Sequence, residues 1–159
     1  MPDAKRPRRS MTMSRVKIDL PQTFSFSMEI AVRISDINYG GHLGHDSVLS
    51  LIHEARVRFL RDIGFAEGDI DGMGLIMADA AIVYKSRGFW GQVLKIEVAI
   101  SGLGKYACDL VYRLTDKETG KEVARAKTGM AFFDYSNDKL VAVPQVFEAA
   151  FAARNLLSS

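Results

Sequence analysis

One long amphipathic helix stands alone in this sequence, ahead of four consecutive segments with the patterning of β-strands. Apolar residues recur at helical spacing from residue 46 to residue 64, and Gly64 occupies the position of a helix-ending glycine. From residue 75 onward, apolar residues alternate with polar ones or form short runs separated by turn residues. This pattern predicts four strands, at about 75–86, 91–102, 104–115 and 121–135.

Two further segments complete the predicted architecture. Residues 23–34 are rich in β-formers and predict a first strand, and the amphipathic segment Gln145–Leu157 predicts a C-terminal helix. Because short turns join the four later strands, we expect them to form an antiparallel meander. The long helix has one large apolar side to bury, so it should lie across the concave side of the sheet. The predicted fold class is α+β, with an antiparallel sheet wrapped around one long central helix.

The composition is that of one folded domain with a basic tail. The 159 residues fit a single domain, and a hydrophobic content of 48% supplies its core. The first ten residues carry a net charge of +3. Because the whole chain carries +2, the rest of the chain has a net charge of −1. We therefore expect residues 1–14 to be a disordered basic tail and residues 15–159 to form a single domain.

The same sequence argues against several classes of partner. A nearly neutral folded part has no field that would attract nucleic acid. The apolar run at residues 80–84 is far shorter than the roughly 20 residues that span a bilayer, so no membrane helix is expected. Cys108 is the single cysteine, which leaves no disulfide and no cysteine metal cluster. We expect a protein of the reducing cytoplasm that holds no metal and needs no cofactor.

The densest group of polar and glycine residues, residues 35–47, lies directly before the long helix. Asp46 or Ser47 is expected to cap that helix. Unpaired N–H groups in a first helical turn carry partial positive charge, so they can stabilise an anion or polarise a carbonyl oxygen. The groups here that can move protons or position water belong to Asp36, Asn38, His42, His45 and Asp46.

The string Asp36-x-Asn38-x-x-Gly41-His42-Leu43, with Glu54-Ala55-Arg56 on the following helix, resembles the hotdog-fold acyl-CoA thioesterases. The likeness is to the 4-hydroxybenzoyl-CoA thioesterase group and to the acyl-ACP thioesterases. A second stretch, from Tyr84 to Gln92, is similar to a strand and turn of that family. The resemblance implies a hotdog fold and hydrolysis of an acyl-CoA or acyl-ACP thioester. It also implies a homodimer or homotetramer with sites built between subunits.

Candidate roles follow from this resemblance. The candidates for catalysis at the thioester are Asn38, His45, Asp36, Glu54 and His42. The candidates for substrate binding are Gly41, Gly44, Asp46, Lys85 and Arg87. Glu54 lies on the helix and would face either the site or a partner subunit. Lys85 and Arg87 would bind the phosphates of coenzyme A, or they are solvated charges at a strand end.

This sequence departs from the family pattern at the position of a catalytic aspartate. In one branch the second acidic position of the motif carries that aspartate, whereas this chain has Asn38. An amide is unable to act as a general base or to carry an acyl group. The acyl-ACP branch does have asparagine there and relies on neighbouring acidic and histidine residues. Two alternatives to hydrolysis stay open: a hotdog hydratase or dehydratase, and a non-catalytic protein that binds acyl thioesters.

Overall fold

The computed structural model describes residues 15–157, which contain a six-stranded antiparallel sheet and two α-helices. The proposed tail, residues 1–14, lies outside the described residues. The strands are β1 (Phe26–Ala31), β2 (Gly74–Tyr84), β3 (Val93–Leu103), β4 (Ala107–Asp116), β5 (Glu122–Asp134) and β6 (Lys139–Leu140). The helices are α1 (His45–Asp62), α2 (Gln145–Leu157) and a 3₁₀ turn at Ile34–Asp36. Both predicted α-helices are confirmed, and the short strand β6 was not predicted.

The strand order corrects the predicted meander. β3, β4 and β5 follow one another in the sheet, but β2 pairs with β5 and β1 pairs with β3, giving the order β1-β3-β4-β5-β2. The loop of residues 85–92 therefore returns the chain from one edge of the sheet to β3. Three strand spacings amount to about 14 Å, and a loop of this length covers that distance easily.

Helix α1 covers the inner, concave face of the sheet, as predicted, because one of its sides is apolar. The core side chains that it buries are Val48, Leu51, Ile52, Ala55, Phe59 and Leu60. They pack against alternate residues of β3 and β4 that point to the same face, such as Ile96 and Leu110. The helix ends as predicted: Gly64 has a φ of 95°, and the N–H of Phe65 donates to the carbonyl of Leu60 at 2.8 Å.

A buried polar network ties α1 to the sheet and to the loop that follows the helix. The Arg56 side chain is almost fully buried and donates through Nε and Nη2 to Glu67 Oε1 at 3.2 and 3.1 Å. Its Nη1 donates to the hydroxyl of Tyr112 at 3.4 Å, and that hydroxyl also bonds Thr128 at 2.9 Å. Burial alone would lower the pKa of Arg56, but Tyr112 and Glu67 together hold it above its ordinary value.

The outer, convex face of the sheet is partly covered by the segment of residues 15–24. Ile18 is buried there against Ala99 and Val111, and its carbonyl accepts a hydrogen bond from Arg125 Nη1 at 3.2 Å. The ring of Phe24 lies 4.9 Å from the guanidinium carbon of Arg113. This covering segment lies inside the domain boundary that the sequence predicts at residue 15.

Candidate active site

The loop before α1 is held by a buried carboxylate. Asp36 is 3% exposed, and its side chain accepts hydrogen bonds from the backbone N–H of Arg33 at 2.8 Å and from the Arg33 guanidinium. The carbonyl of Asp36 accepts the N–H of Gly44 at 3.0 Å, which closes the loop at the start of the helix. Both oxygens of this carboxylate are thus engaged in shaping the loop.

Asn38 lies inside this loop with its side-chain oxygen already engaged. Oδ1 accepts the N–H of Gly40 at 2.9 Å and the N–H of His42 at 3.4 Å. A Cβ on Gly40 would lie 3.1 Å from Asn38 Oδ1 and 3.3 Å from His42 Nε2, so both side chains flank this glycine. Since Oδ1 is used by the loop, Nδ2 is the part of the amide that is left to donate to another molecule.

The two glycines proposed for substrate binding have different local reasons to be glycine. Gly41 has a φ of 84°, a conformation that side-chain-bearing residues rarely adopt, and no atom lies within 4 Å of where a Cβ would be. At Gly44 the φ is ordinary, but a Cβ would lie 2.5 Å from Asp46 Oδ1. Gly44 therefore allows the Asp46 side chain to fold back beside the helix start.

Helix α1 starts without the side-chain cap that the sequence predicts. Gly44 is the N-cap residue, and neither Asp46 nor Ser47 caps the helix. The helix begins earlier than predicted, because the carbonyl of Gly44 already accepts a helical hydrogen bond from the N–H of Val48 at 3.1 Å. Among the described residues, the N–H groups of residues 45–47 have no acceptor, so they remain available as donors.

The loop that follows β2 packs directly on the loop before α1. The carbonyl of Gly88 accepts the N–H of Leu43 at 2.8 Å, and a Cβ on Gly88 would lie only 3.0 Å from the Leu43 Cβ. A glycine is needed here because the two backbones approach so closely. This contact brings Lys85 and Arg87 beside Asn38, although they are far apart in the sequence.

Together the two loops and the first turn of α1 surround a cleft of about 550 Å³. Its lining residues are Asn38, His42, Leu43, His45, Val48, Tyr84, Lys85, Ser86, Arg87, Gly88, Lys121 and Val123. The described residues that line it include no carboxylate, so the two imidazoles are the groups of this lining that can serve as a general base. The cleft thus combines hydrogen-bond donors, two histidines and three cations with an apolar wall.

Tyr84 closes one side of the cleft. Partial burial raises the pKa of its phenol, and the nearby negative charge of Asp46 raises it further. The Tyr84 hydroxyl therefore stays protonated at neutral pH and can only donate its proton in a hydrogen bond or accept one through its oxygen.

Five of the ten residues proposed from sequence do not line the cleft of this single chain: the two loop glycines, Gly41 and Gly44, and three carboxylates. Asp36 is buried behind the loop, and Asp46 is exposed on the first turn of α1 without lining the cleft. Glu54 is exposed on α1, pairs with Arg58 at 2.7 Å and borders a different groove, between α1 and β1. Of the proposed residues, Asn38, His42, His45, Lys85 and Arg87 line the cleft together.

Sequence reasoning missed Lys121, and it assigned no role to Tyr84. Tyr84 could have been found, because it opens the stretch that resembles the thioesterases. Lys121 has no local signal, since it lies in the turn between β4 and β5. It reaches the cleft because β2 pairs with β5, which places Val123 beside Lys85: the Lys85 N–H donates to the Val123 carbonyl at 2.8 Å.

Comparison with protein families gives a match over most of the chain. Residues 32–151 match the model of the thioesterase-like superfamily. No curated protein matches the chain in sequence.

Comparison with solved structures gives many matches at low sequence identity. A 1,4-dihydroxy-2-naphthoyl-CoA thioesterase from Synechocystis is 21% identical, with a TM-score of 0.73 over 80% of this chain and 95% of that one. A DHNA-CoA thioesterase from Staphylococcus aureus is 17% identical, with a TM-score of 0.74 over 83% of this chain and 91% of that one. A gentisyl-coenzyme A thioesterase is also 17% identical, with a TM-score of 0.69 over 80% and 99% of the two chains. These likenesses confirm the hotdog fold.

Proposed function

The chain belongs to the thioesterase-like superfamily, and from this membership we propose that it hydrolyses an acyl-CoA or acyl-ACP thioester to a free acid and a thiol. The observation that carries the proposal is the cleft itself. It places the amide of Asn38, the start of α1 and two imidazoles beside three cations. Such donors can stabilise the oxyanion of thioester hydrolysis, and such cations can bind an anionic carrier.

In the proposed reaction, the thioester carbonyl oxygen lies at the start of α1. Asn38 Nδ2 and the free N–H groups of the first helical turn donate hydrogen bonds to this oxygen. These donors are fixed before the substrate arrives, so they stabilise the negative charge that develops as water attacks the carbonyl carbon. The tetrahedral intermediate then collapses, the carbon–sulfur bond breaks, and the thiolate leaves and takes up the proton that the base removed from the water.

The proton of the attacking water needs a base, and we assign it to a histidine of the cleft. His45 is the first residue of α1 and His42 flanks Gly40 beside Asn38. Asp36 is a poor choice within this chain because Arg33 and its own loop occupy its carboxylate. Glu54 keeps a role only if a second subunit brings it to the cleft, since it lies elsewhere in the single chain.

The test is incubation with a panel of acyl-CoA and aryl-CoA esters and acyl-ACPs, with release of free thiol followed by a thiol reagent. Thiol release supports the proposal and shows which acyl group and carrier are preferred. Addition of water to an enoyl-CoA without thiol release would instead identify a hydratase. The absence of a carboxylate in the described cleft favours one other candidate, a binding protein, which tight binding without turnover would reveal.

The thiol assay should be free of background from the protein itself. Cys108 is 2% exposed, and burial raises its pKa to about 12, with Asp109 adding to the shift. The thiolate, which is the reactive form, is therefore scarce at neutral pH. We expect the folded protein to leave a thiol reagent uncoloured at pH 7–8 and to react fully once denatured; rapid reaction of the folded protein would contradict this burial. A free thiol also suits the reducing cytoplasm, where we place the reaction.

We further propose that the chain works as a dimer or a dimer of dimers, joined through the free edge of β2. This strand ends the sheet, so one row of its backbone groups has no strand partner in the described chain. Its apolar residues are also poorly covered, and Met77 is 45% exposed. A second copy could pair with this edge and would bring its own α1 near the first cleft.

Sedimentation at micromolar concentration tests the dimer. The wild-type chain is expected to sediment as a dimer or a larger even-numbered assembly. A variant with both Met77→Lys and Ala80→Lys should sediment as a folded monomer, because both side chains are exposed in the single chain and added charge opposes edge pairing. Glu29→Lys, on the opposite edge strand β1, is the control and should remain oligomeric. A monomeric wild type would contradict the proposal.

A further inference from the structure

Four large hydrophobic side chains are exposed on two loops at one end of the sheet. They are Ile34 and Tyr39 in the loop before α1, and Phe89 and Trp90 in the loop after β2. Ile34 is 70% exposed, Trp90 is 67% exposed, and Tyr39 is fully exposed. Exposed hydrophobic residues are usually scattered singly over a surface, so four on two loops mark a site of interaction. We call these four residues the loop patch.

The two segments that carry the loop patch, residues 32–43 and 85–92, are joined through their backbones. The N–H of Val32 donates to the carbonyl of Gln92 at 2.8 Å, and the N–H of Gly91 donates to the carbonyl of Val32 at 3.2 Å. On each segment, a member of the patch lies within two residues of these bonds. The two segments therefore meet at the patch.

Hydrogen bonds hold both loops in the form that exposes the patch. The Gln92 side chain accepts the N–H of Phe89 at 2.6 Å and donates to a nearly buried carboxylate at the end of β4. In the other loop, the turn that carries Tyr39 is closed by the carbonyl of Asn38, which accepts the N–H of Gly41 at 3.0 Å. Because these bonds fix the loops, the exposure of the patch is a property of the folded protein.

The same two segments carry uncompensated positive charge. Their charged residues are three cations and one carboxylate, namely Arg33, Lys85, Arg87 and Asp36. The carboxylate is buried and pairs with Arg33. Lys85 and Arg87 are exposed, and no carboxylate of the described residues pairs with either. The guanidinium carbon of Arg87 lies 6.0 Å from the centre of the Phe89 ring, so this charge borders the patch directly.

We propose that the loop patch docks on the surface of an anionic lipid bilayer. Tryptophan and tyrosine are enriched at bilayer–water interfaces, because their rings are apolar and their polar ends stay hydrated. Positive charge beside them is attracted to the anionic lipids of a cytoplasmic leaflet. This attraction acts over about 8 Å and needs no contact, so Lys85 and Arg87 can still meet a ligand in the cleft. The inference does not depend on the proposed hydrolase activity.

The form of the patch favours a bilayer over a second protein. Tyr39 stands on the tip of a turn, and Trp90 precedes Gly91, whose φ of 85° turns the chain sharply. Protein interfaces are densely packed at their centre and need a complementary surface, whereas separate projecting rings can enter a fluid headgroup layer. Since Arg87 and Gly88 line the cleft, docking would bring the cleft to the membrane surface.

The fluorescence of Trp90 tests the docking directly, because Trp90 is the single tryptophan of the chain. On addition of vesicles of phosphatidylcholine mixed with phosphatidylserine, we expect its emission to shift to shorter wavelength. The shift should weaken with phosphatidylcholine alone and at high salt. No shift at saturating lipid would overturn the proposal. So would a short-wavelength emission without lipid that reverts on dilution, since a second copy of the chain would then cover the patch.

Cosedimentation with the same vesicles locates the contact. Trp90→Ala and Tyr39→Ala should each weaken vesicle binding by about tenfold, the scale for burying a large apolar side chain. Arg87→Gln should weaken it by about fivefold. Tyr106→Ala is the matched control: Tyr106 is an exposed ring with Lys105 Nζ at 5.2 Å, but it lies in the β3–β4 turn at the opposite end of the sheet. Equal binding by Trp90→Ala and Tyr106→Ala would contradict docking through the patch.

The basic residues near the N-terminus are a second source of positive charge, so a full-length variant separates their effect. It carries four substitutions: Lys5→Gln, Arg6→Gln, Arg8→Gln and Arg9→Gln. Docking through the patch predicts that the shift of the Trp90 emission persists in this variant, although at higher lipid concentration. If this variant loses all vesicle binding while Trp90→Ala binds as the wild type does, the membrane contact belongs to the N-terminal residues and the proposal fails.

Discussion

Replacing Asn38 by alanine is expected to lower the rate of thioester hydrolysis by roughly ten- to a thousandfold, the range for losing one donor to a developing oxyanion. The structure makes Asn38 Nδ2 the free end of the amide, because Oδ1 already accepts two backbone N–H groups. The loss should fall on kcat, since the donor acts most strongly on the charge that forms in the transition state. Steady-state kinetics on the preferred thioester measures it.

Asn38→Asp separates the chemistry of this position from its part in shaping the loop. Aspartate keeps an oxygen for the N–H groups of Gly40 and His42, so the loop should keep its form. Its second oxygen would enter the cleft as the carboxylate that the other family branch carries. Because aspartate has no Nδ2 donor, activity should fall as in Asn38→Ala if this position faces the carbonyl oxygen, and it should be retained or raised if the position faces the carbonyl carbon. Full activity of Asn38→Ala, with His45→Ala or Glu54→Ala inactive, would show instead that the chemistry belongs to the helix residues.

Replacing Arg56 by alanine is expected to lower the free energy of unfolding by about 3 kcal/mol, the scale for breaking a buried charge pair from one side. The change removes the partner that Glu67 and Tyr112 share beneath α1. Arg58→Ala is the matched control on the same helix: its pair with Glu54 is half exposed, so the loss should stay within about 0.5 kcal/mol. Urea unfolding at one fixed protein concentration measures both.

Arg56→Met shows whether lost packing or lost charge is responsible for the fall in unfolding free energy expected of Arg56→Ala. Methionine keeps an unbranched apolar stem in the same space but makes no hydrogen bond to Glu67 or Tyr112. A loss close to that of Arg56→Ala assigns the effect to the polar network. If the methionine variant is as stable as the wild type, the network contributes little and the packing of the stem carries the effect.

The parts of the fold that the sequence predicts well are those with a local pattern. The apolar side of α1 repeats every three to four residues, and Gly64 ends the helix through its own backbone, so both could be read from neighbouring residues. The start of α1 was less predictable. The carbonyl of Asp36, in the preceding loop, accepts the N–H of Gly44 and helps to fix Gly44 as the N-cap residue, so neither Asp46 nor Ser47 caps the helix.

The pairing of β2 could not be read from the sequence, and one site residue was missed for the same reason. A loop of ordinary length after Tyr84 is compatible both with a hairpin to β3 and with a return across the sheet. The choice depends on which strand edge β2 reaches, and the edge of β5 that it pairs with belongs to a strand much later in the sequence. Lys121 reaches the cleft through that pairing alone, whereas Asn38, His42 and His45 are close in sequence and could be grouped in advance.

The covered convex face limits how the sheets of two copies of this protein can stack on each other. Residues 15–24 occupy one part of that face, and ion pairs such as those of Glu97 with Arg113 and Asp109 with Lys127 occupy much of the rest. Fibrils require sheets that lie dry and flat on one another. A second sheet laid on this face would have to displace the segment and strip water from those charges. The described fold therefore permits copies to add to one another along the hydrogen-bonding direction of their strands. It opposes the addition of copies perpendicular to the sheet.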